Sequence, residues 1–244
     1  MTYCAATMLD AGIVFASDSR TNAGIDNVST FKKMRIFEVS GERVIVTLCS
    51  GNLAVTQATL NQLDQVIRRN DGSPNLMNCN SMFEVAHLIG VALREVRDHD
   101  APYLTQNNVD SSASFIVGGQ IAGEQMRLFM VYSEGNFIEA MTETPYFQIG
   151  EVKYGKPILD RVINAETSMD DATKCVLVSF DSTMRSNLSV GMPIDLLCYE
   201  RDSLRVTKKR RFDERDDYMR NLRQQWSEGL RKAFSQVTTF DWHE

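Results

Sequence analysis

Three residues near the start of the chain, Thr2, Asp18 and Lys33, have the types and spacing for amide chemistry. A threonine hydroxyl is a weak nucleophile that needs a base. Once the preceding Met1 is removed, Thr2 carries that hydroxyl and a free α-amine on one residue. Such an amine, with an unperturbed pKa of about 7.7–8.0, is partly neutral near pH 7 and can accept the hydroxyl proton. A buried lysine ammonium lowers the pKa of the hydroxyl and, by like-charge repulsion, of the amine. That ammonium needs a counter-charge, which Asp18 can supply. The same residues also read as a Ser17-Asp18-Ser19 turn beside a solvated Lys32-Lys33 edge, and spacing alone leaves both readings open.

Strands must bring the three together. Apolar runs over residues 3–9 and 12–17, split by Asp10-Ala11, predict a β-hairpin that ends at Asp18. A polar loop with Gly24 follows, and Lys32-Lys33 opens a third apolar run over Met34–Val39. Antiparallel pairing places Thr2, Asp18 and Lys33 at one end of one sheet. Further on, residues 44–49 read as a buried strand running into Ser50-Gly51. Leu53, Thr56, Leu60, Leu63 and Ile67 recur at helical spacing to about Arg69. Ser81 and Glu84 have capping-box form and open a second helix with the stripe Val85, Leu88, Ala92 and Val96.

Residues 102–112 are polar and read as a loop. Residues 113–117, 127–132 and 137–141 read as short strands, with Gly118-Gly119 and Gly135 in turns. Helices are expected near residues 154–164 and from Ser168 to about Asp181 or slightly beyond, and late strands over 192–199 and 203–207. Met219, Leu222, Trp226, Leu230 and Phe234 predict a C-terminal amphipathic helix over about 212–237. With no repeat, low-complexity linker or boundary, residues 1–244 read as a single layered α+β domain.

Composition narrows the function. With 43% apolar residues and a net charge of −6, the chain has ample core and no global electrostatic case for nucleic acid. The basic run Lys208 to Arg211 is followed by Asp213, Glu214, Asp216 and Asp217, which reads as a solvated mixed-charge face. Five scattered cysteines without a Cys-x-x-Cys pair read as buried reduced thiols in a cytoplasmic protein. No signal peptide or membrane span is expected. His87, His99 and His243 are far apart, which disfavours a zinc site or a serine-histidine-aspartate site.

The N-terminal pattern resembles the start of a mature proteasome β-subunit: Thr2, an apolar strand ending in Asp18-Ser19-Arg20, then Gly24, then Lys32-Lys33. Thr47 to Gly51 resembles the stretch that forms the oxyanion hole, and Phe147 to Gly150 with Tyr154-Gly155 resembles the Val-Gly-Ser-Gly segment. Arg185 to Gly191 resembles the Arg-Asp-x-x-Ser-Gly-Gly loop. Met directly before Thr2 and a long charged C-terminal helix are most similar to the bacterial Anbu, or ancestral β-subunit, branch.

The resemblance implies a four-layer αββα sandwich of the N-terminal nucleophile hydrolase type and a threonine peptidase activity without metal or cofactor. It implies Thr2 as nucleophile, Lys33 acting on its hydroxyl, Asp18 pairing with Lys33, the Ser50 amide as oxyanion donor and Ser189 orienting the amine. Lys33 is chosen over Lys32 because the second lysine of the family pair is the active one. An extended peptide would pair with the backbone at Asn22, Ser50 and Asn52, and Thr21, Phe31, Leu48 and Asn52 would line the first specificity pocket.

Two departures bear on activity: Glu151 stands where the family has serine, and Ser186 where it has aspartate. They make Glu151 and Ser186 modulators of the site, and keep open an alternative in which the protein is a self-assembling scaffold or weakly active amidohydrolase. The resemblance also implies a homo-oligomer, as a ring or an open helical ring. An ATPase partner is left unassigned.

Overall fold

The first two apolar runs form the antiparallel hairpin that their spacing predicts: β1 (Tyr3–Leu9) pairs with β2 (Gly12–Asp18), with Leu9 opposite Gly12. The computed structural model describes residues 2–22 and 28–242; Met1, Gly24 and His243 lie outside the described residues. Next come β3 (Arg20–Asn22), β4 (Val28–Thr30), β5 (Met34–Val39) and β6 (Arg43–Gly51), then helices α1 (Leu53–Arg69) and α2 (Met82–Gln106). A second group of strands follows: β7 (Ala113–Ile121), β8 (Arg127–Val131), β9 (Phe137–Glu139) and β10 (Tyr146–Gly150). The chain continues through α3 (Lys156–Val162), α4 (Met169–Ser186), β11 (Ile194–Glu200), β12 (Lys208–Phe212) and α5 (Asp217–Ser235).

One sheet has the order β10-β1-β2-β11-β12, the other β5-β6-β7-β8-β9, and β3-β4 is a separate ribbon. Strand alternation distributes the apolar side chains over three cores. Tyr3, Ala5 and Leu9 of β1 pack with Leu177 and Phe180 of α4, while Cys4 and Ala6 turn to the opposite sheet. On β6, Ile45 and Cys49 pack with Val55 of α1 and Ile89 of α2, while Val44, Val46 and Leu48 point between the sheets. The result is a four-layer αββα sandwich. Both faces of each sheet are covered, so β1, β2 and β6 read as nearly unbroken apolar runs. Burying one Val, Leu, Ile or Phe side chain stabilises by about 1.5–3 kcal/mol.

The helices begin where polar side chains can cap them. The Asn52 side chain accepts from the Ala54 and Val55 amides at the start of α1, and Ser81, Ser168 and Asp216 do the same for α2, α4 and α5.

Four local expectations are corrected. Helix α2 runs through Pro102 to Gln106 instead of yielding to a loop. The proline removes one helical hydrogen bond, and Leu104 beyond it still packs on the core. Gly118-Gly119 lies inside β7, opposite Leu128 and Arg127. A Cβ on Gly119 would meet the Val44 carbonyl oxygen at 1.9 Å, so these glycines mark a close approach of strands, not a turn.

The last strand is β12, not residues 203–207. It places the basic run on a sheet edge, where Lys208 pairs with Glu200 at 2.7 Å, Arg210 with Asp216 at 2.8 Å and Arg211 with Asp195 at 2.8 Å. The C-terminal helix spans Asp217–Ser235, a shorter stretch than 212–237 because Phe212 belongs to β12 and Asp216 is the cap.

Candidate active site

Asp18 is the last residue of β2 and Lys33 directly precedes β5, so the two sheets deliver them to a common point. Lys33 Nζ donates to Asp18 Oδ1 at 2.6 Å and to the Arg20 carbonyl oxygen at 2.7 Å. Asp18 Oδ1 also accepts from the Tyr3 amide at 3.0 Å, which ties the carboxylate to the residue after Thr2. The Lys33 carbonyl in turn accepts from the Cys49 amide at 3.1 Å, anchoring the lysine to β6. Both side chains are buried, whereas Lys32 is exposed. Burial pushes the Asp18 carboxyl above its ordinary value, against the pull of the Lys33 ammonium and the Tyr3 amide. Burial also pushes the neighbouring Cys49 thiol up to about 12.

Thr2 is held from the other side by β10 and the bend after it. The Glu151 amide donates to the Thr2 carbonyl oxygen at 2.7 Å, one step beyond the Tyr3–Gly150 pair of the β1-β10 ladder. Gly150 makes that approach possible. Its φ is +86°, and a Cβ there would meet the Thr2 carbonyl oxygen at 2.0 Å. Ser50 pairs with Ser114 one residue before β6 ends at Gly51, whose φ of +104° again lies in the left-handed region. Thr2, Ser50, Gly51 and Gly150 share one cleft of about 840 Å³.

Of the sequence-predicted specificity residues, Thr21, Phe31 and Asn52 line this cleft. Leu48 does not; it is fully buried between the two sheets. Asn52 is committed as the α1 cap and also donates to the Asp110 carbonyl at 2.9 Å. The Asn22 backbone pairs with Val28 in the β3-β4 ribbon, and its side chain lies outside the described residues. Ser189 is half-buried in the loop between α4 and β11, and its amide donates to Asn187 Oδ1 at 2.9 Å. Ser186 is exposed at the end of α4. Glu151 is buried, and its Oε2 accepts from Asn187 Nδ2 at 2.9 Å.

Sequence reasoning missed Gln57, Asp110, Ser112 and Ser114 on the cleft wall, and Asn187 as the partner of Glu151. Asp110 and Ser112 could have been flagged by their turn spacing: Asp110 accepts from both the amide and the hydroxyl of Ser112, which hold its carboxyl below the usual range. Asn187 had no such signal. Among the described residues, no group of three or more His, Cys, Asp or Glu side chains is placed to hold a metal ion, and no helix is long and apolar enough to cross a membrane.

Two antiparallel sheets face to face between helical layers, with Thr2, Asp18 and Lys33 delivered by the first strands, define a proteasome β-subunit-type sandwich. No protein-family model and no curated protein matches the chain. Solved structures do. Anbu (Gly-1 mutant) from Hyphomicrobium sp. strain MC1 is 48% identical, with 99% of this chain and 100% of that chain covered and a TM-score of 0.92. Anbu (ancestral beta-subunit) from Yersinia bercovieri is 47% identical, with 98% and 99% covered and a TM-score of 0.91. The helical assembly of the Anbu complex from Pseudomonas aeruginosa is 48% identical, with 98% of each chain covered and a TM-score of 0.93. The chain belongs to the Anbu, or ancestral β-subunit, family.

Proposed function

We propose that this protein is a cytoplasmic threonine peptidase that hydrolyses amide bonds with Thr2 after Met1 is removed. The buried Lys33–Asp18 pair carries this reading, because its carboxylate also holds the Tyr3 amide beside Thr2. An ammonium has three donors, of which Asp18 and Arg20 take two. The third serves the Thr2 hydroxyl and stabilises its alkoxide. The Thr2 α-amine takes the hydroxyl proton as Oγ1 attacks the substrate carbonyl carbon. The resulting oxyanion accepts from the Ser50 amide, and Ser189 orients the amine. The C–N bond breaks as the leaving amine receives the proton. Water then hydrolyses the Thr2 ester and regenerates the enzyme.

An extended peptide would lie along the cleft beside Thr21, Ser50 and Asn52. Residues 1–244 act as one peptidase domain, and copies of it assemble into a homo-oligomer. The helical assembly described for the Pseudomonas aeruginosa relative supports that state, as do the exposed Leu230 and Phe234 on α5. Unpaired cysteines suit a reducing compartment.

Intact mass tests the reading. The purified protein should lack Met1 and gain one β-lactone or epoxyketone adduct, and Thr2→Ala should gain none. Threonine is small enough for methionine aminopeptidase, so Thr2→Ala should still lose Met1. Retention of Met1 by that variant alone would make maturation autocatalytic. A free Thr2 that takes no adduct would leave the self-assembling scaffold.

A further inference from the structure

Glu151 is a buried carboxylate that the peptide-bond chemistry above does not use. It is 5% exposed. Its Oε2 accepts from the neutral amide of Asn187 at 2.9 Å, and the exposed Lys153 ammonium stands 3.9 Å from its Oε1. A carboxylate buried to this extent is strongly destabilising unless a charge or several hydrogen bonds compensate it. Lys33 does not compensate it, being bonded to Asp18 and to the Arg20 carbonyl.

The main chain of Glu151 is bonded to Thr2 itself, its amide 2.7 Å from the Thr2 carbonyl oxygen. The two main chains thus lie side by side one step beyond the Tyr3–Gly150 pair, close enough for a glutamate side chain to span to the Thr2 nitrogen. That nitrogen becomes an ammonium-forming group once Met1 leaves. Asn187 fixes the arrangement, because its Nδ2 donates to Glu151 while its Oδ1 accepts from the Ser189 amide.

We infer that Glu151 is the counter-ion of the freed Thr2 α-amine, and that Asn187 is the positioning residue that aims it. The inference rests on the reading of Thr2 as an exposed N-terminus. Its sign follows from electrostatics. An opposite charge within about 4–6 Å favours the charged form, so Glu151 raises the pKa of the amine. Lys33 from the β5 side pushes the other way, Asp18 from β2 is occupied by Lys33 and Tyr3, and Lys153 weakens Glu151 from the turn after β10. Glu151 thus delays the appearance of the neutral base to higher pH and narrows the window in which Thr2 reacts.

The test needs protein released at Thr2 by cleavage of an N-terminal tag, which frees the amine whether or not cells remove Met1. The pH dependence of α-amine acylation by limiting acetic anhydride, read by mass on the N-terminal peptide, gives the titration without reference to activity. Glu151→Gln should move the midpoint down by about one pH unit, a roughly ten-fold loss of proton affinity. Glu151→Asp should restore most of it, and Asn187→Ala should move it down by a smaller amount. A midpoint unchanged within about 0.2 units in Glu151→Gln, or moved upward, overturns the inference. If Glu151→Gln does not fold, an unchanged midpoint in Asn187→Ala does so. A downward shift in a protein that takes no β-lactone adduct would keep the ion pair and remove the peptidase.

Discussion

Lys33 and Asp18 meet at 2.6 Å with only 3% and 0% of their side chains exposed. Neither residue has that burial by virtue of its own strand. Asp18 closes β2 in one sheet and Lys33 precedes β5 in the other, so the pair joins the two sheets at the end where Thr2 emerges. Removing one partner leaves the other charge stranded. Lys33→Ala should therefore destabilise by about 3–5 kcal/mol. Lys32→Ala, at an exposed position, should change stability by about 0.5 kcal/mol or less. Urea melts of the two variants test this, and equal small losses would contradict a strongly coupled pair.

Gly150 is the backbone hinge of the site. With a φ of +86° and the Thr2 carbonyl oxygen 2.0 Å from where a Cβ would stand, alanine there must displace Thr2. Gly150→Ala is expected to lower stability by about 1–3 kcal/mol and to slow β-lactone labelling of Thr2 at least ten-fold, with the sandwich retained. Labelling at the wild-type rate would show that the position of Thr2 does not depend on this turn.

Alkaline pH should weaken the fold through its thiols. Burial pushes Cys49 and Cys175 up to about 12. An unfolded thiol ionises near pH 8.5, so between about pH 8.5 and 12 the unfolded chain releases protons that the native chain retains. Stability is fully present below that window and falls as pH rises through it, by up to about 1.4 kcal/mol per pH unit for each such thiol. Denaturant melts at pH 7.5, 9 and 10 should show this loss, with a shallower slope in Cys49→Ala.

Helix α5 divides along its length. Met219 and Leu222 are buried against α4 and Trp226 is partly buried there, but Leu230 and Phe234 are 50% and 80% exposed. Phe234→Glu should weaken self-association by roughly ten-fold or more without changing the circular dichroism spectrum. Trp226→Ala should also loosen the docking of the helix on its own subunit. Sedimentation velocity decides the matter, and an unchanged assembly in Phe234→Glu would assign the exposed end of α5 no part in subunit contact.

Much of this protein is written locally. Residues 53–69 form a helix because their apolar stripe, the Asn52 cap and the left-handed Asn70 terminus agree with one another. Met34–Val39 forms the expected strand, and the Thr2, Asp18 and Lys33 pattern carries the family. These features depend on side-chain period, capping chemistry and residue order, which the linear chain contains. Gly118-Gly119 shows the limit. A glycine pair fits a turn equally well, and only the opposing backbone at Val44 makes it part of a strand. Pro102 ends a helix by local rule, yet the packing of Leu104 carries α2 past it.

The site divides in the same way. Sequence alone determined which residue types stand at positions 2, 18 and 33, and thereby the chemistry open to them. Only the tertiary structure buried Lys33 but not Lys32, removed Leu48 from the cleft and brought Asn187 to Glu151, 36 positions away in the chain. Burial and long-range hydrogen bonds depend on how separately formed elements stack. No local pattern of charge or hydropathy encodes which of two adjacent lysines the opposite sheet will cover.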